Sequence, residues 1–305
     1  MKYSNSIALA LAAVCGFALS SHAQTDTILV NDTWADGDRT STGPDGSGID
    51  SAWFSSTAAS LTVPAAGTMR AAVPAGSLSE TTYFASQTLA ATGDALKFTW
   101  VYTPSTIAAN TSQAFNLAVV NGATHLAADG SPVSQVYAGY SMYMNMSSPN
   151  LGNGNPFALR EWNLGATAGA LLSASANWGA NGTASATLAN GATSGNTGYA
   201  SGTAYTLVMT LTRNASSGLD ITTTTTGGTL NGTGSATLSY TDTTPNTFTY
   251  DTFALRQSGS ASGAAQVDTT LFKVEFLTAP VPEPATFALA GLGLLGLAGY
   301  RRMRR

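Results

Sequence analysis

The sequence predicts an all-β fold, an antiparallel two-sheet sandwich over residues 24–279, followed by a single C-terminal transmembrane helix. Three observations predict it. Aromatic and β-branched residues alternate with polar ones at period two in several separate runs. The links between those runs are rich in Gly, Ser and Asn. No stretch of the body shows an apolar helical stripe capped at both ends.

The first element is an export signal over residues 1–23. Lys2 supplies a positive start, residues 7–19 (IALALAAVCGFAL) form an apolar stretch of thirteen, and Ser21-His22-Ala23 places small residues where a signal peptidase reads. Cleavage is expected after Ala23. The competing reading is an uncleaved anchor, but the stretch is shorter than the roughly 20 residues a spanning helix needs. A lipoprotein reading of Cys15 is disfavoured because Val14 precedes it where a small residue is expected.

Cleavage there removes Cys15, the only cysteine, so no disulfide staples residues 24–279. At 256 residues this segment is long enough to bury a full core unaided. It carries seven Lys/Arg against fifteen Asp/Glu, a net charge of −8. Such a body offers phosphates no attractive surface, and no nucleic-acid partner is expected.

Within the body, residues 95–102 (ALKFTWVY) set Leu96, Phe98, Trp100 and Tyr102 against Lys97, Thr99 and Val101, the pattern of a strand with one buried face. Residues 115–120, 136–146, 205–212, 219–226, 253–256 and 271–277 carry similar β-formers. The turn chemistry of Arg213 to Gly218 (RNASSG) predicts a hairpin joining two of these runs. A solenoid would need a short repeat at fixed spacing, which the chain lacks, so two packed sheets are the expectation.

The last element is the ending from Val281, VPEPATFALAGLGLLGLAGYRRMRR. Residues 285–300 are an uncharged run of sixteen, as a helix about 24 Å long. That is slightly under a hydrocarbon core of roughly 30 Å, a difference that arginine stems make up by reaching to the headgroups. Pro282 and Pro284 fix where such a helix starts and leave Glu283 extended and accessible. The positive-inside bias keeps the basic tail in the cytoplasm and the large domain outside.

This order of parts, Pro282-Glu283-Pro284, the apolar run 285–300, then Arg301, Arg302, Arg304 and Arg305, resembles the PEP-CTERM sorting signal of exported bacterial proteins. The resemblance covers about the last twenty-five residues. It implies a sorting segment over 280–305, an exosortase-type processing enzyme that reads Pro282, Glu283 and Pro284, transient anchoring in the inner membrane, and delivery to the cell surface or an extracellular polysaccharide matrix. A plain tail anchor is the competing reading.

A second, looser resemblance lies in the body. NDTWADGDRTST (from Asn31), SAWFSS (from Ser51), YAGYSMYMN (from Tyr137) and YTLVMTLTR (from Tyr205) are similar to exported passenger domains of the concanavalin A-like jelly-roll type. That fold hosts lectins, glycan hydrolases and adhesion modules, so it implies no one activity. Its β-glucan-cleaving members resemble one another in a strand with two glutamates four residues apart and an aspartate between, a pair able to serve as nucleophile and general acid. This chain departs from that pattern, because Glu80, Glu161 and Glu275 are isolated from one another. His125, the only histidine after Ala23, lies in a small-residue loop with no nucleophile elbow, and is expected on the surface. One histidine and no cysteine are too few ligands for zinc, copper or non-haem iron.

Two binding chemistries stay open. Asp32, Asp36, Asp38, Asp45 and Asp50 cluster within nineteen residues, which suits calcium, although the spacing is not that of an EF-hand and aspartates in turns usually bond their own backbone. Aromatic faces that stack on sugars are sought among Trp34, Trp53, Trp162 and Trp178, with Trp162 and Trp178 favoured by their polar or small flanks, and core burial as the competing reading for each.

The expected protein is therefore an exported, non-catalytic surface or matrix structural protein. The alternative is a lectin-like module associated with extracellular polysaccharide. N-terminal sequencing of the exported protein is expected to start at Gln24; a start at Met1 or a lipidated Cys15 would contradict the signal assignment.

Overall fold

Residue alternation along the chain becomes the alternation of two sheet faces. The computed structural model describes residues 25–40, 43–45, 48–109, 114–133, 135–151, 157–162, 171, 185–191, 195–261 and 263–279. Asp26–Leu277 form one compact unit. Its strands, in chain order, are β1 (Thr25–Asp32), β2 (Gly43–Asp45), β3 (Gly48–Asp50), β4 (Trp53–Ser55), β5 (Leu61–Ala65), β6 (Thr68–Ala72), β7 (Leu78–Thr88), β8 (Ala95–Ile107), β9 (Ala114–Gly122), β10 (Tyr137–Asn145), β11 (Phe157–Trp162), β12 (Ser185–Asn190), β13 (Tyr205–Arg213), β14 (Leu219–Thr226), β15 (Ser235–Asp242), β16 (Thr249–Gln257) and β17 (Ala264–Thr278).

An eight-stranded sheet runs β15-β14-β13-β8-β17-β6-β5, with β1 also on β17, and a seven-stranded sheet runs β12-β11-β10-β9-β16-β7-β4. The pairings along both paths are antiparallel. The expected all-β two-sheet antiparallel sandwich is thus the observed architecture. One topological feature matters later: β1, β5 and β6 join the eight-stranded sheet only through β17, and β4 and β7 join the other sheet only through β16.

All seven runs read from the sequence fall on strands. Residues 95–102 lie in β8, whose Leu96, Phe98, Trp100 and Tyr102 are fully buried while Lys97, Thr99 and Val101 are half-exposed. Residues 219–226 coincide with β14, which buries Leu219, Ile221, Thr223 and Thr225. The predicted hairpin joins β13 and β14 in register from Arg213↔Leu219 to Thr206↔Thr226. Asn214 shapes its turn, with Oδ1 accepting from Ser216 N (3.0 Å) and Gly218 N (2.9 Å). Gly218 is required there, since a Cβ would lie 2.3 Å from the Asp242 carbonyl oxygen.

Side chains from both sheets meet in one core. Trp100 and Tyr102 stack at 3.9 Å, and Phe115 from the facing sheet lies parallel to Trp100 at 5.4 Å. Trp53 and Phe253 approach Phe272 at 5.1 and 4.6 Å. The Trp100 Nε1–H donates to Thr269 Oγ1 at 3.1 Å, so the buried indole is hydrogen-bonded as well as packed. The only helices among the described residues are 3-10 turns, Ala58–Ser60 and Leu230–Gly232, and none is long and apolar enough to cross a membrane. The expected signal 1–23 and the expected helix 285–300 lie outside the described residues.

Trp100→Ala is expected to lower unfolding free energy by roughly 3–5 kcal/mol, and Thr224→Ala on the exposed side of β14 by under about 0.5 kcal/mol, in urea titrations of the same protein. Equal effects would contradict the assignment of faces.

Candidate functional site

The acidic loop does not gather into an ion cage. Asp32 is buried; its Oδ1 accepts from Trp34 N (2.9 Å) and its Oδ2 from Ser51 N (3.4 Å). Asp36 Oδ1 accepts from Asp38 N at 3.0 Å. Asp38 Oδ1 accepts from Arg39 N, Thr40 N and Thr40 Oγ1, and these bonds hold its carboxyl below the usual range. Asp50 is buried, and the Asp45 side chain lies outside the described residues. Asp32, Asp36 and Asp38 thus satisfy backbone donors one or two residues further on. Among the described residues no group of three acidic, histidine or cysteine side chains is placed to hold a metal ion.

Trp162 corrects the expectation of a stacking platform. It is fully buried at the end of β11, edge-on to Tyr137 at 6.2 Å, in a cluster with Ala118, Val120, Leu171 and Ala254. Its polar flank in REWN misled because Arg160 and Glu161 are themselves drawn into the structure. Trp34 and Trp53 are also fully buried, in the inter-sheet core, as Trp100 is. Trp178 lies outside the described residues, as do Ala23, Pro282, Glu283, Pro284, Arg301, Arg302, Arg304 and Arg305.

The cluster around Trp162 marks the face of the seven-stranded sheet that points away from the inter-sheet core. Leu117, Met142, Leu159 and Leu255 face the core, so the alternate residues share the opposite face. Close approach of β9 and β10 on that face needs Gly139, whose φ is +135° and whose Cβ would sit 2.5 Å from the Val119 carbonyl oxygen. Four residues along from the Gly139–Val120 pair, Asn116 lies directly opposite Tyr143 on one side and Arg256 on the other. The Arg160 guanidinium rests 4.9 Å from the Tyr143 ring centroid.

This polar row was not legible as a unit, because its members come from four strands. Asn116 is 3% exposed, whereas Tyr143 and Arg256 beside it are half-buried. Its Oδ1 and the Arg256 Nε are both buried without a hydrogen-bond partner. Burial lowers the pKa of Arg160 and of Arg256 from the usual guanidinium value. The row therefore holds desolvated cations beside an open amide, an arrangement that can take an anionic or hydroxyl-bearing group.

The three glutamates serve other ends. Glu80 is buried on the core side of β7, accepts from Gln257 Nε2 at 2.6 Å, and is pushed up to about 7 by burial. Glu161 accepts from Asn246 N at 2.9 Å; burial, against that bond, and then the charge of and hydrogen bond with Asp242 bring it to about 7. Burial opposes ionisation of Glu275, yet hydrogen bonds from Lys273 and Lys97 outweigh it and hold the carboxyl low. His125 is at the surface as expected, 40% exposed, with its ring stacked on Tyr83 at 4.1 Å and Nε2 3.4 Å from Asp251 Oδ2.

Comparison with known proteins bears first on the tail. Residues 280–305 match the family model of the PEP-CTERM protein-sorting motif. No curated protein matches the chain. Among solved structures it is similar to arcelin-5, a lectin-like defense protein from Phaseolus vulgaris, at 8% identity over 84% of this chain and 99% of that one, TM-score 0.44. It is similar to peanut lectin with a 9mer peptide at 10% identity over 85% and 100% of the two chains, TM-score 0.43. The VIP36 exoplasmic/lumenal domain in its Ca2+/Man3GlcNAc-bound form follows at 10% identity over 76% and 86%, TM-score 0.42.

Asp32, like Glu80 and Glu161, is raised to about 7, here by burial first. Folded carboxyls with raised pKa keep protons that the unfolded chain releases, so stability is highest near the unfolded values of about 4–4.5 and falls as pH rises to about 7. The melting temperature is expected to be higher at pH 5 than at pH 8. Glu80→Gln is expected to stabilise by on the order of 2–3 kcal/mol at pH 8 and to change little at pH 4. Scanning calorimetry at the three pH values checks this, and a pH-independent effect of Glu80→Gln would refute it.

Proposed function

We propose that this chain is an exported, non-catalytic structural protein of the cell surface or extracellular matrix, delivered by its C-terminal sorting signal. The observation that carries the reading is the PEP-CTERM motif over 280–305, which begins two residues after β17 ends at Thr278. On this reading residues 285–300 form a transmembrane helix that lodges in the inner membrane, the arginine cluster stays on the cytoplasmic side, and an exosortase-type enzyme processes the chain near Pro282, Glu283 and Pro284. The anchoring is transient, and the β-sandwich, a concanavalin A-like jelly roll in its finer description, is the part delivered. A non-catalytic body accords with its carboxyls, since Glu80 is committed to Gln257, Glu161 to Asn246 and Asp242, and Glu275 to two lysines.

A second reading, a carbohydrate-binding lectin-like module associated with extracellular polysaccharide, is favoured by the row Tyr143–Asn116–Arg256 on the outer sheet face. It shares the same delivery route.

Removal of residues 280–305 is expected to shift the protein out of its normal cell fraction, and Glu283→Ala to leave an unprocessed, higher-mass form at the membrane. Fractionation with intact-mass measurement reads both. A truncated chain reaching the same destination in equal amount would overturn the sorting role; an unchanged mass for Glu283→Ala would remove processing and leave a plain anchor.

A further inference from the structure

Four of the body's seven basic side chains, Arg39, Arg70, Lys97 and Lys273, are bonded to carboxylates. Arg213 donates to the Leu89 carbonyl and lies over Phe248. Arg256 differs, because it makes no hydrogen bond or ion pair among the described residues, and its Nε is buried. Directly opposite it on β9, the buried Asn116 presents Oδ1 with no donor. Side chains opposed in this way have Cβ atoms about 4.5–5.5 Å apart, a span that one sugar ring edge bridges.

A buried donor and a buried acceptor left unmet are costly to the fold, and a ligand that supplies the complementary pair removes both costs. That ligand must offer an acceptor, best an anion, to the guanidinium, and an O–H to the amide oxygen beside it. A uronic acid at the non-reducing end of a chain carries both on adjacent ring carbons, the carboxylate on C5 and a free hydroxyl on C4, in a rigid frame. A peptide carboxylate brings no hydroxyl at that place. Tyr143 and Arg256, on either side of the buried amide, are themselves only half-buried, so part of each side chain reaches solvent.

We propose that the outer face of the seven-stranded sheet binds the uronate unit of an acidic oligosaccharide, with Arg256 Nε–H donating to the carboxylate and Asn116 Oδ1 accepting from the neighbouring hydroxyl. Arg160, held on the Tyr143 ring, adds positive charge to the same row. The net negative charge of the body does not prevent this, since repulsion between exposed charges is screened beyond about 8 Å at physiological salt while the ligand contacts are direct. The inference rests on the carbohydrate-binding reading and narrows it to one ligand class.

Calorimetric titration of the purified full chain with trigalacturonate, galactotriose and acetate tests it. Trigalacturonate is expected to bind roughly tenfold or more tightly than either of the others, and Arg256→Gln and Asn116→Leu each to weaken it by about tenfold or more. Cooperative melting of both variants shows that they fold. Equal binding of trigalacturonate and galactotriose, or binding indifferent to both substitutions, would overturn the uronate site and leave the carbohydrate reading standing. Absence of trigalacturonate binding alongside retention on neutral glycans of an array has the same meaning. Retention of no glycan, neutral or acidic, defeats both.

Discussion

Stacked rings tie the two sheets together where no covalent bond does. Trp100 and Tyr102 from β8 lie against Phe115 from the opposing sheet, and Trp53, Phe253 and Phe272 continue the seam. The only cysteine is Cys15, within the expected signal, so no disulfide contributes to cohesion of the body. A fully buried large apolar side chain contributes about 1.5–3 kcal/mol, and an aromatic pair roughly 0.5–1.5 kcal/mol more. With eleven of the largest side chains excluded from solvent, this term is large enough to offset the ordering of many Ser, Thr and Gly residues that bury little. Even the threonine run obeys it, since Thr223 and Thr225 turn inward and Thr225 Oγ1 lies 3.9 Å from Met144 Sδ.

Charge is used sparingly and locally. Arg39 binds Asp129 through two oxygens and also the Trp53 carbonyl, joining the loop after β1 to the one after β9. Arg70 clamps Asp268 across β6 and β17, and Lys97 with Lys273 holds Glu275 across β8 and β17. Each pair is a cross-strand or cross-loop tie at the edge of the core. Against that pattern the outer face of the seven-stranded sheet stands apart, with the desolvated Arg256 guanidinium opposite the Asn116 amide.

How much of this was legible in the sequence follows from how each signal is encoded. Period-two alternation in β8, β13 and β14 is a local property, so those strands and their hairpin could be read directly. β11 and β15 could not: FALREW breaks alternation because both faces of β11 are buried, and SATLSYTD fully buries only Ala236 and Leu238 of its apolar side chains, with Tyr240 partly buried against the core. Trp162 was misread for the same reason, since a second cluster covers the face that looked open. The row of Asn116, Tyr143, Arg160 and Arg256 is assembled by register across four strands, and a spacing of 27 or 113 positions along a chain carries no signal of adjacency. The acidic loop was read both ways, and in the structure Asp32, Asp36 and Asp38 accept from backbone N–H groups one or two residues on.

The place of β16 and β17 has a temporal meaning. They are the last described strands, yet in the sheet pairing β1, β5 and β6 reach one sheet through β17, and β4 and β7 reach the other through β16. Until those two strands are in place, the early strands can pair only with one another, β4 with β7 and β5 with β6. The sorting motif begins two residues behind β17, so the strand that completes one sheet is made directly before the segment that carries the signal. Completion of the fold and completion of the signal are thus coupled by nothing more than their order along the chain.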